Sequence, residues 1–194
     1  MKISRVLPIL FLTACMTVPA GEMQAGQETP ETASAVPQPA ATPAPPPPPC
    51  EDEIYHAFDF WIGDWDVYDT DDNLVGTNSI TRAERGCLLV EHWTNTGGGT
   101  GQSYNFYDPV TDKWRQLWVS SGSVIDYSGG LTDTGTMRLE GEIHYRGAGN
   151  SAPFTGEWRL NEDGSVTQHF RQQDPETGEW SDWFVGKYVK QPEG

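Results

Sequence analysis

The sequence is poor in positive charge: 12 Lys and Arg stand against 28 Asp and Glu, for a formal net charge of −16. The acidic residues are spread through the chain rather than gathered in a tail, so nucleic acid is a poor partner. Anionic lipid headgroups would repel such a surface, which leaves a covalent anchor as the route to a membrane. Long hydrophobic runs are also missing, since the apolar stretch Val6 to Leu12 is far too short to span a bilayer. Helical periodicity is absent except over Ile54 to Trp61, where one short turn fits. His56, His92, His144 and His169 are scattered singly with no Cys at ligand spacing, which argues against zinc.

Catalytic signatures are missing as well. There is no Gly-x-Ser-x-Gly elbow, and no Ser, His and acid set follows from spacing. Asp69, Asp71, Asp72 and Asn73 lack the central Gly and later Glu of a calcium loop and read as a solvated hairpin turn. Gly97 to Gly101 joins two strands instead of opening a helix, so it has no phosphate-binding terminus and reads as a flexible loop, with a lid as its functional alternative. The expectation is a non-enzymatic protein without a metal.

What is present begins with an export signal. Lys2 and Arg5 precede the apolar run, which ends in Leu12-Thr13-Ala14-Cys15. This is the charged, apolar and small-residue order of a signal peptide, residues 1–14. Leu-x-Ala-Cys resembles the bacterial lipobox, and the resemblance implies that Cys15 is acylated and becomes the mature N-terminus. Met16 stands where the inner-membrane retention signal would be Asp, so the resemblance favours the outer membrane, facing the periplasm. The alternative is an ordinary signal cut after Val18-Pro19-Ala20, giving a chain that starts at Gly21.

Residues 15–49 hold Ala, Pro, Gln, Thr and Glu with few large apolar side chains, too few to offset the entropy of ordering. They read as a disordered, lipid-anchored tether ending in the rod Pro45 to Pro49, with a reach on the order of 100 Å if fully extended. A proline ligand for an aromatic groove is the functional alternative.

From residue 50 to 194 the pattern changes to short alternating segments separated by turn residues, the signature of an all-β barrel or sandwich. Met137, Leu139, Gly141, Ile143 and Tyr145 alternate with Arg138, Glu140, Glu142, His144 and Arg146. Two turns, Asp108-Pro-Val-Thr111 and Asp174-Pro-Glu-Thr177, each precede a strand that opens near a Trp. About ten strands are expected, among them Lys113 to Ser120, Phe154 to Leu160 and Trp180 to Lys190. Sequentially connected strands must hide their edges, and closure into an up-and-down barrel does so completely.

The run Phe58-Asp-Phe-Trp-Ile-Gly63-Asp-Trp65, with Gly86-Cys87-Leu-Leu-Val-Glu91-His-Trp93 and Asn105-Phe-Tyr-Asp-Pro109, resembles a bacterial family of uncharacterised function bearing F-D-F-W-x-G-x-W. Gly63-Asp64-Trp65 is also similar to the Gly-x-Trp opening of lipocalins and other calycins. The resemblance implies a calycin-like barrel with Trp65 plugging one end beneath the first strand. A cation from the last strand would cover it, and Lys187 or Lys190 stands where lipocalins offer Arg, with Lys187 taken first.

In an oxidising compartment Cys50 and Cys87 are expected to form a disulfide, two free thiols being the alternative. Trp93, Tyr104, Phe106, Trp118, Trp158, Phe170 and Trp183 fall mid-strand and are the candidates for lining a barrel mouth, core packing being the other reading for each. No cofactor is expected. A haem-binding relative of this barrel type makes His92 or His169 a minor candidate for an axial ligand. The functional expectation is a barrel that binds a small apolar or amphipathic molecule or lipid. The alternative is a side-chain-filled barrel serving as a carbohydrate-binding or protein-interaction module.

Overall fold

Period-two alternation makes Met137, Leu139 and Ile143 buried while Arg138, Glu140 and Glu142 between them are not, and the same parity runs around a closed wall of strands. The computed structural model describes residues 50–192. The expected signal peptide, the expected acylation at Cys15 and the expected tether fall on residues outside those described.

The wall consists of β1 (Gly63–Tyr68), β2 (Leu74–Ala83), β3 (Leu88–Asn95), β4 (Thr100–Asp108) and β5 (Lys113–Ser120), followed by β6 (Ser123–Leu131), β7 (Thr136–Tyr145), β8 (Asn150–Leu160), β9 (Val166–Gln173) and β10 (Trp180–Lys190). Each strand pairs antiparallel with the next, and β1 pairs with β10, so the meander closes into a barrel without an edge. Strand β8 begins earlier than its sequence suggests, because Pro153 faces Glu142 of β7 while the pairing to β9 starts only at Phe154. The missing proline N–H therefore falls where no second neighbour needs it.

The turns obey local chemistry. Asp69 Oδ1 accepts from the backbone N–H groups of Asp71 and Asn73, each at 2.9 Å, closing the β1–β2 hairpin as an Asx-type turn. Asp108 and Asp174 do the same in the two Asp-Pro turns, accepting from Val110 at 2.9 Å and from Glu176 at 2.8 Å.

One end of the barrel is plugged by the segment before β1. Two short 3₁₀ turns, Glu53–His56 and Asp59–Trp61, carry Phe58 and Trp61 inward, where both are fully buried and stack at 4.9 Å between ring centroids. The Trp65 indole N–H donates to the Trp61 carbonyl at 2.9 Å, and Trp114 donates to the Ile54 carbonyl at 3.1 Å. Gly63 has φ +142°, and a Cβ there would come within 3.0 Å of Lys190 Cε, so the entry to β1 requires glycine.

The cation over the plug is Lys190, not Lys187. Strand parity turns Tyr188 inward, and Lys190, two residues on, pairs with Trp65 and lays its Nζ 5.7 Å from the indole centroid. Lys187 is out of phase and reaches outward to Asp163 at 3.1 Å. Lys190→Ala is expected to cost about 0.5–1 kcal/mol in urea unfolding, the usual range for an exposed cation–π contact, with Lys187→Ala costing less. Equal costs would mean that the Trp65 contact contributes nothing.

The disulfide joins Cys50 to Cys87, tying the residue just before the plug to the corner between β2 and β3. That corner, Glu84–Gly86, has positive φ at all three residues. Arg82 secures it by donating to the Gly86 carbonyl at 3.0 Å and to the carboxylate of Asp59 in the plug.

Candidate functional site

Along its axis the interior changes character. The plug half is packed solid by Phe58, Trp61, Trp65, Trp158, Met137 and Leu139, all essentially inaccessible. Trp158 lies 5.2 Å from Phe58, 5.6 Å from Trp61 and 5.4 Å from Phe170 by ring centroid, so it belongs to the filled core.

Above this core lies a belt of buried polar side chains. Glu91 of β3 is its centre: Asn78 Nδ2 donates to one carboxylate oxygen at 2.7 Å, and Ser103 Oγ donates to the other at 2.5 Å. Asn105 Nδ2 donates to Ser103 Oγ at 2.9 Å, Gln116 donates to the Asn105 carbonyl oxygen, and Tyr127 donates to Gln116. On the other side Asn78 reaches the Tyr188 hydroxyl, which donates to Gln168 at 2.8 Å. A chain of hydrogen bonds thus crosses the barrel from β6 to β9. Every partner of Glu91 is neutral, and burial pushes its carboxyl from 4.5 up to about 7, against the opposing pull of the Ser103 and Asn78 hydrogen bonds. Asn78 Oδ1, beside it, is buried with no donor. Burial also drives Tyr127 and Tyr188 well above the ordinary phenol value, so both stay protonated.

At the end opposite the plug the belt floors a cavity of about 250 Å³. Its upper walls are Trp93, Trp118, Phe170, Trp183 and Phe184, and its floor presents Glu91, Gln116, Tyr127, Gln168 and Tyr188. Glycines make room for the walls: a Cβ at Gly76 would meet the Trp93 ring at 2.6 Å, and one at Gly101 would meet the Trp118 ring at 2.2 Å. The β9–β10 register slips between Asp182 and Phe184, a bulge that brings both Trp183 and Phe184 to the cavity. Trp183 is 46% exposed and donates to the Tyr145 hydroxyl at 3.0 Å, which fixes it at the rim.

Of the seven aromatic candidates, the structure brings Trp93, Trp118, Phe170 and Trp183 together around one cavity. Trp158 faces inward but is core. Tyr104 and Phe106 are a correction: the inward positions of β4 are Gly101, Ser103 and Asn105, so these two rings sit on the outer wall, Tyr104 48% exposed and Phe106 beneath the Arg115 guanidinium at 6.0 Å. His92 and His169 are likewise on the outer face, His169 2.7 Å from Asp182, and neither can ligate a haem inside the barrel. The Gly97 to Gly101 stretch is shorter as a loop than expected, since β4 starts at Thr100 and Asn95 Oδ1 accepts from the N–H groups of Gly97 and Gly99 at 2.9 and 2.8 Å.

The floor was not among the sequence candidates, although a signal for it exists. Glu91, Gln116 and Gln168 each stand two residues before an inward aromatic, Trp93, Trp118 and Phe170, and period two puts each pair on one face. No family model matches the chain, and a comparison with curated proteins finds no match.

Proposed function

We propose that the protein is an envelope lipoprotein whose barrel binds one small apolar or amphipathic molecule at its open end, without catalysing a reaction on it. The observation that carries this reading is the cavity: aromatic walls above a hydrogen-bonding floor, at about 250 Å³ close to the small end of the usual size for ligand clefts. The lipobox and tether support attachment to the outer membrane on the periplasmic side, through the acylated N-terminus. Nucleic acid remains a poor partner for a chain of net charge −16.

The reading of a barrel filled throughout fits the plug half alone. A sugar platform would need a row of exposed rings, and of the eight tryptophans only Trp180 and Trp183 are exposed, the second turned toward the cavity.

Native mass spectrometry of the mature protein, purified gently from a bacterial envelope, is expected to reveal a stoichiometric extra mass that denaturation removes. An apo mass with no uptake from a lipid and metabolite extract would overturn the reading. Trp118→Ala is expected to weaken n-octanol binding, followed by tryptophan fluorescence, by about tenfold, the usual worth of an aromatic wall, while Tyr104→Ala on the outer face changes it little. Equal effects would place the ligand elsewhere. For the anchor, radiolabelled palmitate should enter the wild type and be absent from Cys15→Ala, whereas a mature chain starting at Gly21 would count against acylation.

A further inference from the structure

We infer that the cavity selects small organic cations, an amine or ammonium nitrogen on an apolar body, with the nitrogen seated against Glu91 and the body among the rings of Trp93, Trp118, Phe170 and Trp183. This deepens the ligand-binding reading above and rests on it.

The lining of the cavity sets the class of ligand it can take. Glu91 is its single carboxylate, and no Lys, Arg or His is among the lining residues. A buried carboxylate with only neutral partners is costly, and the cost is relieved by a cation of matching size. Both Glu91 hydrogen-bond donors come from the wall, Asn78 and Ser103, which leaves the cavity side for a third. On the floor the Tyr127 and Tyr188 hydroxyls already donate, to Gln116 and Gln168, so both meet a ligand as acceptors. A ligand that brings N–H groups completes this set, and a ligand carboxylate would face Glu91 without a counter-charge.

The walls favour the same class. Ring faces carry negative quadrupoles and attract ammonium groups within about 6 Å, more strongly where water is excluded. The protein as a whole, at net charge −16, draws cations toward it and repels anions. The groups that face Glu91 from the packed strands are Asn78 of β2, Ser103 of β4, Tyr127 of β6 and Tyr188 of β10. None of them gains or loses charge near neutral pH, so the pH response of cation binding belongs to Glu91. Its carboxyl must be ionised to hold the nitrogen, and with its midpoint at about 7 the affinity should climb as pH rises through that value.

The test uses the full mature chain and three probes of one chain length: n-octylamine, n-octanol and octanoate, titrated by calorimetry and tryptophan fluorescence. At about pH 8.5 the amine is expected to bind about tenfold or more tighter than the alcohol, and octanoate more weakly than either. The amine-to-alcohol ratio should fall about tenfold on going to about pH 5.5. In Glu91→Gln the ratio should collapse to about one at both pH values. If the wild type binds the alcohol as well as the amine, or if the ratio survives in Glu91→Gln, cation selection is overturned and the ligand-binding barrel stands. If none of the three binds the wild type, both readings fall. The wild-type pH series decides the matter even should the variant fold poorly.

Discussion

Between about pH 4.5 and pH 7 the protein is expected to lose about 3 kcal/mol of unfolding free energy, and Glu91→Gln is expected to abolish that loss. The sign follows from where the proton sits. Below 4.5 the carboxyl is protonated in both the folded and the unfolded chain, and burial costs little. As pH rises past that value the unfolded chain releases its proton first, while burial holds the proton on Glu91 until about pH 7. Throughout that window the folded state binds more protons, so stability falls as pH rises. Above the folded value the penalty is complete. Tyr127 and Tyr188, held well above the ordinary phenol value, stay neutral across the window.

The surface carboxylates work in a separate range and with the opposite sign. Asp69, Asp108 and Asp174 are lowered chiefly by backbone N–H groups, and Asp163 is pulled to about 2 by its Ser165 hydrogen bonds and then by Lys187. Their stabilisation is present above the ordinary value of 3.8 and is lost as pH falls below it. The difference between wild type and Glu91→Gln therefore isolates one group. Urea unfolding at a series of pH values measures it. At about pH 8 the variant should be about 2 kcal/mol more stable, since one rearranged hydrogen bond to Ser103 costs about 1 kcal/mol. Parallel curves for the two proteins would refute a buried, ionising Glu91. A gain in stability with a loss of cation preference is the trade expected where a binding group is kept at the expense of the fold.

The second large effect is at the other end of the barrel. Replacing both Cys50 and Cys87 by Ser is expected to cost about 4 kcal/mol, from the loop entropy released when a cross-link spanning 37 residues is lost. For a domain of this size the melting temperature should fall by roughly 10–15 °C. The bond holds Cys50, at the start of the plug segment, against the corner that leads into β3. Without it Phe58 and Trp61 are tethered mainly by their own packing and by Arg82 to Asp59. Scanning calorimetry of the double variant, beside wild type with and without reductant, measures the loss. An unchanged melting temperature would mean that the plug seats itself without the cross-link.

How much of this was legible in the residues differs from element to element. Trp180 to Lys190 and Lys113 to Ser120 read directly as strands, and both Asp-Pro turns form with the carboxylate contacts their chemistry requires. The start of β8 was hidden by Pro153, whose acceptability depends on which neighbour is missing. Tyr104 and Phe106 misled because an aromatic in a strand ordinarily faces the core, and β4 instead spends its inward positions on Gly101, Ser103 and Asn105. Lys187 misled because strand parity puts it one residue out of phase with Tyr188, on the outer face. The bulge at Trp183 is a slip in pairing with β9 and has no local signature.

By itself the sequence determined what is periodic or local: an all-β chain, its turns, the plug motif around Trp65, the cysteine pair, and a net charge of −16. Those features depend on neighbours a few residues apart, and physical chemistry acts on them directly. Only the tertiary structure decided which aromatic residues share a cavity, that half of the barrel is filled and half open, and that Glu91 lies buried between the two. Those facts come from the register of ten strands around a closed wall, where residues more than a hundred positions apart, such as Asn78 and Tyr188, are brought within hydrogen-bond distance at 3.4 Å. A carboxylate's affinity for its proton is set by that surrounding, and so, on the reading proposed here, is its choice of ligand.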